Sequence, residues 1–263
     1  MISCEMMGGL GNQMFIAATA YSLALDNNDE VVFPLSISGI TPTAYKTMLH
    51  RKTILRKLKY TDDFRFIKYF HSERPDHTFH PIDFRKNLML RGYFQSEKYF
   101  KHNRKEILKY FEPLEQIDIF LNKKYSSLIN NEKVVSVHVR RGDYLKLSDY
   151  HAIIGKEYYD KAKKQFTDEH VFVYFSDDIE WCKETFKDVN SVFIEKQDDV
   201  LDLYLMSKIK NNIIANSSFS WWAAWLNTNE NKKVICPSSW FGPRNRHLDV
   251  AKKDLIPEGW FVI

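Results

Sequence analysis

The chain has 263 residues, enough for one large domain or two compact ones. With 44% hydrophobic and 27% charged residues it is neither a disordered chain nor a coiled coil. A net charge of +4, with no basic stripe or arm, admits an anionic ligand and argues against nucleic acid as a partner. Cys4, Cys182 and Cys236 form no CxxC pair and no cluster with histidine. That argues against a disulfide framework or a structural zinc and fits a reducing compartment. The first basic residue is Lys46, and the longest early apolar stretch, 16–25, is far short of the ~20 residues a membrane span needs. The reading is a soluble, cytoplasmic protein without a signal peptide.

In chain order, a short strand over 2–6 leads into a glycine turn and an apolar helix over 13–25. A strand over 31–33 is stopped by Pro34. Residues 36–90 read as short helices and long loops, and 88–94 as a strand. The polar segment 122–133 marks a boundary, which gives domains over 1–130 and 131–263. Beyond it, strands over 134–140, 171–175, 213–215 and 234–236 alternate with helices over 155–166 and 198–209 and with a Trp-rich helix. Asp198 or Asp199 is the N-cap of the second of these. Alternating strands and helices predict a parallel α/β sheet.

Four segments could carry chemistry. Gly8-Gly9-Leu10-Gly11-Asn12-Gln13 concentrates three of the nine glycines within four positions. It reads as a tight βα turn or as a loop placing bare N–H groups, Asn12 and Gln13 against a ligand. Its spacing is not the G-x-G-x-x-G of dinucleotide binders. The second segment is His138-Val139-Arg140-Arg141-Gly142-Asp143-Tyr144, where a strand ends. Adjacent arginines there either face an anion such as a pyrophosphate or lie in solvent, paired with Asp143. In Phe175-Ser176-Asp177-Asp178, a carboxylate reads a guanine or ribose group or caps the next helix. In Asn216-Ser217-Ser218-Phe219-Ser220-Trp221-Trp222, the tryptophans read as core. The serines stand at a helix N-terminus, where free N–H groups favour phosphate. No Asp-x-Asp, Walker A, HExxH or G-x-S-x-G motif occurs. Phosphate charge would then be met by arginine and helix N-termini and not by a metal ion.

Taken together and in order, GGLGNQMF at 8–15, GYFQSEKYF at 92–100, VSVHVRRGDY at 135–144, FSDD at 175–178 and NIIANSSFSWWAAWLN at 212–227 resemble the α-1,2-fucosyltransferases of glycosyltransferase family 11. The likeness runs nearly to residue 241 and is thin over 26–90. It implies a GT-B fold of two Rossmann-like domains facing across a cleft, in a soluble form of bacterial type. It also implies inverting transfer of fucose from GDP-fucose without a metal or other cofactor. The implied acceptor is a terminal β-galactoside, lipid-linked or in an O-antigen unit. The basic stretch 46–59 is then a candidate for transient membrane contact, or simply a solvated helix face.

Carried onto this sequence, the resemblance implies that Arg140 and Arg141 are the family's two arginines, at least one of which holds the GDP pyrophosphate, with Asp143 orienting the pair. His138 faces the nucleotide, Asp177 or Asp178 reads guanine, and Ser217, Ser218 and Phe219 belong to the donor side. Gly9, Gly11, Asn12 and Gln13 form the loop toward fucose and acceptor. Asp143, His138 and Glu97 are candidate bases. Ile16 departs from the family, whose members usually carry Gln there. The alternatives are a transferase for another nucleotide sugar and a sugar- or nucleotide-binding protein without turnover.

Overall fold

The structure is a computed structural model that describes residues 1–35 and 49–263. The first three residues of the basic stretch 46–59 lie outside the described part. The chain divides into two compact units, 1–114 with 250–257 and 115–249 with 258–263.

In the first unit, β1 (Ile2–Cys4), β4 (Tyr69–Ser72) and β5 (Leu88–Arg91) form a parallel sheet in the order β1-β5-β4. Ile2 pairs with Leu88 and Cys4 with Leu90. β2 (Phe33–Pro34) and β3 (Tyr60–Thr61) make a separate parallel pair. The helix Leu10–Asp26 is rich in Ala and Leu, strong helix formers. It is apolar on most sides, and Met14, Phe15, Ile16, Ala17, Ala18 and Ala20 are fully buried. Ile16, the departure from the family pattern, therefore packs in a core. The helix ends where Asn28 takes a left-handed conformation, φ 48°, which asparagine tolerates well. The returning segment 250–257 is pinned by Asp254, which pairs with Lys98 at 2.6 Å and accepts from the Phe79 N–H at 2.9 Å.

The second unit is built on six parallel strands: β6 (Val134–Val139), β7 (Val171–Ser176), β8 (Ser191–Phe193), β9 (Asn211–Ile213), β10 (Val234–Cys236) and β11 (Phe261–Val262). Their order is β11-β10-β9-β6-β7-β8. The chain enters at β6, winds outward through β7 and β8, then returns to the other side of β6 with β9 and winds outward again. The order reverses between β6 and β9. In open α/β sheets the carboxyl ends of the strands at such a reversal form a ligand crevice. Every residue of β6 is buried, as an interior parallel strand requires. Tyr159, Tyr174, Phe175, Phe186, Trp221 and Trp222 fill the core. Trp221 meets Trp222 edge-on at 5.2 Å and stacks with Trp225 at 6.2 Å. The tryptophan cluster is thus core, as its pattern indicates.

Two placements differ from the sequence reading. The units part at Leu114, ahead of the polar segment 122–133, and the helix Glu115–Lys124 falls with the second unit. Leu121 is fully buried, Asp118 pairs with Lys208 at 2.7 Å, and Tyr125 donates to Gln197 at 2.7 Å. These contacts bind a polar helix to the sheet domain. The second difference is β9, which lies at Asn211–Ile213 and not at 213–215. A buried asparagine is tolerated in a central strand only when its hydrogen bonds are made. Asn212 donates to Ser136 Oγ at 2.7 Å and to the Met206 carbonyl at 2.9 Å, and accepts from Asn227 at 2.8 Å.

Asn212→Ala would strand several of these buried groups. The expected cost is ~2–3 kcal/mol, a fall in Tm of roughly 5–10 °C in a thermal melt. An unchanged Tm would show that the network is replaceable.

Candidate active site

Three loops of the second unit meet at the carboxyl ends of β6, β7 and β9. The loop after β6 carries the arginine pair. Arg140 Nη2 donates to Asp143 Oδ1 at 2.5 Å, and Nη1 lies 2.8 Å from Asp177 Oδ2. Its guanidinium stands over the Tyr144 ring, 5.1 Å from the centroid. Arg141 is held differently. Its backbone N–H donates to Asp177 Oδ1 at 2.9 Å, and Nε donates to Asp178 Oδ2 at 3.1 Å. Its guanidinium carbon lies over the Trp181 ring, 3.9 Å from the centroid. Asp178 also caps the helix Ile179–Thr185, accepting from the Trp181 N–H at 3.3 Å.

Of the two readings of this pair, the helix cap is seen at Asp178, and both carboxylates also hold the arginines, which neither reading anticipates. Gly142 is needed for this. A Cβ there would sit 2.4 Å from Asp177 Oδ2, too close for the carboxylate to keep its place.

The loop after β9 reaches the same edge. Tyr144, just beyond the arginines, donates its hydroxyl to the Asn216 carbonyl at 3.2 Å and so ties the arginine loop to the serine loop. Ser217 is the N-cap residue of the helix Ser218–Leu226, and its side chain makes no capping bond. Asn216 anchors the turn by donating to the carbonyls of Ala152 and Trp240, both at 2.9 Å. Its buried Oδ1 has no partner among the described residues. His138 lies beneath, buried, 5.4 Å from the Phe219 ring, with Nδ1 also unpartnered among the described residues. Burial, with the Arg140 charge nearby, pushes its pKa down to about 3. The ring is neutral at ordinary pH: a hydrogen-bonding group, and a poor proton acceptor.

The glycine loop belongs to the first unit. Gly9, extended, is the N-cap position of the helix Leu10–Asp26. Gly8 carries the constraint: its φ is 73°, and a Cβ would meet Asn12 Nδ2 at 2.5 Å. Gln13, buried, donates to the Gly8 carbonyl at 2.9 Å and closes the turn. Asn12 accepts from Gln95 at 2.8 Å, which joins the 8–15 and 92–100 strings. Gly11 is buried inside the first turn of the helix. Glu97 opens a short 3-10 turn behind Gln95. Among the described residues, no three His, Cys, Asp or Glu side chains converge as metal ligands.

Sequence reasoning did not single out Tyr144, Asn216 or Trp181. Tyr144 and Asn216 lie inside strings it quoted. Trp181 stands three residues beyond Asp178, the spacing at which a capping carboxylate meets the helix backbone.

A parallel sheet with cationic and helix N-terminal groups gathered at its switch point describes an α/β protein built to bind an anion such as a nucleotide. The chain belongs to glycosyl transferase family 11, whose model matches residues 1–261. It is 32% identical to the O-antigen biosynthesis glycosyltransferase WbnK of Escherichia coli, over 94% of this chain and 96% of that one. It is 33% identical to an alpha-1,2-colitosyltransferase of Escherichia coli, over 98% and 97%. Against the mouse (Mus musculus) galactoside 2-alpha-L-fucosyltransferase Sec1 the identity is 28%, over 86% of this chain and 64% of the relative. The fold is GT-B: the fucosyltransferase NodZ from Bradyrhizobium superposes with a TM-score of 0.51 at 14% identity, over 85% of this chain and 90% of that one.

The buried His138 gives a pH test. Folded, it takes up a proton only near pH 3, whereas an unfolded histidine does so below about 6.5. The unfolded chain thus binds the extra proton first, and stability is lost as pH falls from about 6.5 toward 3. His138→Gln should lose less Tm between pH 7 and 5 than the wild type. Equal losses would mean that the ring titrates normally.

Proposed function

We propose that this chain is a galactoside α-1,2-fucosyltransferase. It transfers L-fucose from GDP-fucose, with inversion and without a metal ion, to the 2-hydroxyl of a terminal galactoside. The glycan is of the kind found in an O-antigen or capsule repeat unit. The observation that carries this reading is the unequal use of the two arginines. Arg140 commits both Nη groups to carboxylates. Arg141 uses only its backbone N–H, its Nε and one ring face, and both its Nη groups stay clear of hydrogen bonds among the described residues. That leaves a forked, permanently charged donor at the switch point, matched to a diphosphate.

In this mechanism the acceptor oxygen attacks the anomeric carbon on the face opposite GDP. The bond from that carbon to the β-phosphate oxygen breaks, its electron pair stays with GDP, and the acceptor hydroxyl passes its proton to a carboxylate base, for which Asp143 and Glu97 are the candidates, or to solvent. Arg141, with the N-terminus of Ser218–Leu226 at Ser217 and Ser218, stabilises the charge gathering on the phosphate. Arg140, braced by Asp143 and Asp177, keeps the loop in place. His138 and Phe219 line the donor side, the histidine as a neutral hydrogen-bonding group. Gly9, Gly11, Asn12 and Gln13, joined to Gln95, serve the fucose and acceptor side.

The acceptor is a galactose-terminated, lipid-linked oligosaccharide met from the cytoplasmic side of a membrane. The O-antigen role in the name of WbnK supports this.

The alpha-1,2-colitosyltransferase relative favours a second donor, GDP-colitose, which lacks the 3-hydroxyl of fucose. Turnover of the two donors on lactose and N-acetyllactosamine decides between them. Calorimetry should find GDP bound at least about tenfold tighter than UDP, a gap of ~1.4 kcal/mol, and unaffected by EDTA. Binding that vanishes in EDTA would overturn the metal-free reading. Arg141→Ala, correctly folded, should lose ~10²–10³ in turnover. Wild-type rates in that variant would remove Arg141 from the mechanism.

A further inference from the structure

The first turn of the helix Ile179–Thr185 is built around Arg141. Asp178 Oδ2 takes the Nε edge of the guanidinium, and Oδ1 of the same carboxylate takes the Trp181 N–H. One side chain thus fixes both the arginine and the backbone that carries the indole. The guanidinium carbon stands over the indole, 3.9 Å from the ring centroid. Phe186 meets it edge-on, 5.6 Å away at 86°. Phe186 is itself fully buried, stacked on Tyr174 at 4.7 Å and edge-on to Tyr159 at 5.6 Å. A rigid aromatic chain therefore runs from the core of the sheet to one face of Arg141, whose side chain is only 16% exposed.

We propose that Trp181 is a positioning residue for phosphate capture: it clamps the guanidinium plane so that the Nη edge of Arg141 is presented to the donor diphosphate. The inference rests on the reading of Arg141 as the phosphate-binding group. An aromatic face suits this task better than another carboxylate. It holds the cation by cation–π attraction and contact without neutralising the charge the phosphate must meet. Arginine side chains lose much rotamer freedom when fixed, and a clamp imposes that loss before the ligand arrives. Stacking also requires a planar cation, so lysine at 141 would keep the charge and lose the clamp.

The test uses the full-length protein, with binding of GDP and of guanosine measured by calorimetry or competition and kcat and KM measured with the nucleotide sugar. Trp181→Leu should weaken GDP about tenfold and leave guanosine unchanged, since guanosine has no phosphate. Trp181→Phe should recover most of the GDP affinity. In an Arg141→Lys background, Trp181→Leu should have no further effect, because the two residues act as one unit. Equal loss for GDP and guanosine, or additive losses in the double variant, would overturn the clamp. GDP affinity unchanged by Arg141→Lys would overturn the clamp, whereas GDP affinity unchanged by Arg141→Ala would overturn the phosphate reading of Arg141 itself, a separate result. Should Trp181→Leu not fold, tetrafluorotryptophan at position 181 keeps the shape and removes the negative ring face. It should weaken GDP selectively, and unaltered GDP affinity would overturn the proposal.

Discussion

Two guanidinium groups on consecutive residues at the end of a buried strand are a constraint that the rest of the second unit has to meet. Like charges that close repel, and each loses hydration where the strand leaves the core. The fold answers with carboxylates from two places. Asp143 comes from the same loop, and Asp177 and Asp178 come from the end of the neighbouring strand β7. Much follows from that answer. β6 and β7 must run parallel and in register to bring these ends together, as the pairing of Val139 with Ser176 does. Residue 142 must lack a side chain. The helix after β7 must start at Asp178. Tyr144, next along, then carries the constraint across to β9 through the Asn216 carbonyl.

The sequence made the interior of this sheet readable and its edges obscure. β6 and β7 are runs of valine, phenylalanine and tyrosine bounded by polar residues, which is how a strand buried on both faces looks. β8 and β11 have three and two residues, too few to show any period. β9 was displaced for a different reason. Its middle residue is Asn212, a poor strand former, whose partners Ser136, Met206 and Asn227 lie outside any local window. The helix Glu115–Lys124 reads as a polar boundary because only Leu121 of its face is deeply buried.

The candidate site shows the same division. Arg140, Arg141, Asp177 and Asp178 could each be named from the chain, because charge at strand ends is conspicuous. Their partnership could not, since it spans 36 and 37 residues of sequence. The glycine loop was visible, but the position under constraint is Gly8, where φ is 73°, and Gly9 has nothing near the place of a side chain. The sequence leaves Gln13 open as part of a tight turn or as a ligand-facing amide. In the structure its Nε2 closes the turn by donating to the Gly8 carbonyl. Family membership supplies the chemistry, and the geometry supplies which atoms remain free to perform it.

The arginine–carboxylate cluster has an electrostatic consequence. It contains two cations and three anions, a formal surplus of one negative charge. On the proposed reading, a dianionic nucleotide sugar would gain no attractive far field from these five groups, whose net effect is screened over a Debye length of ~10 Å at 0.1 M salt. Attraction from the cluster would begin only at contact, through the Nη groups of Arg141 and the amides of a helix end. These five groups would thus recognise the nucleotide only at short range, and any long-range steering would fall to the chain's overall net charge of +4.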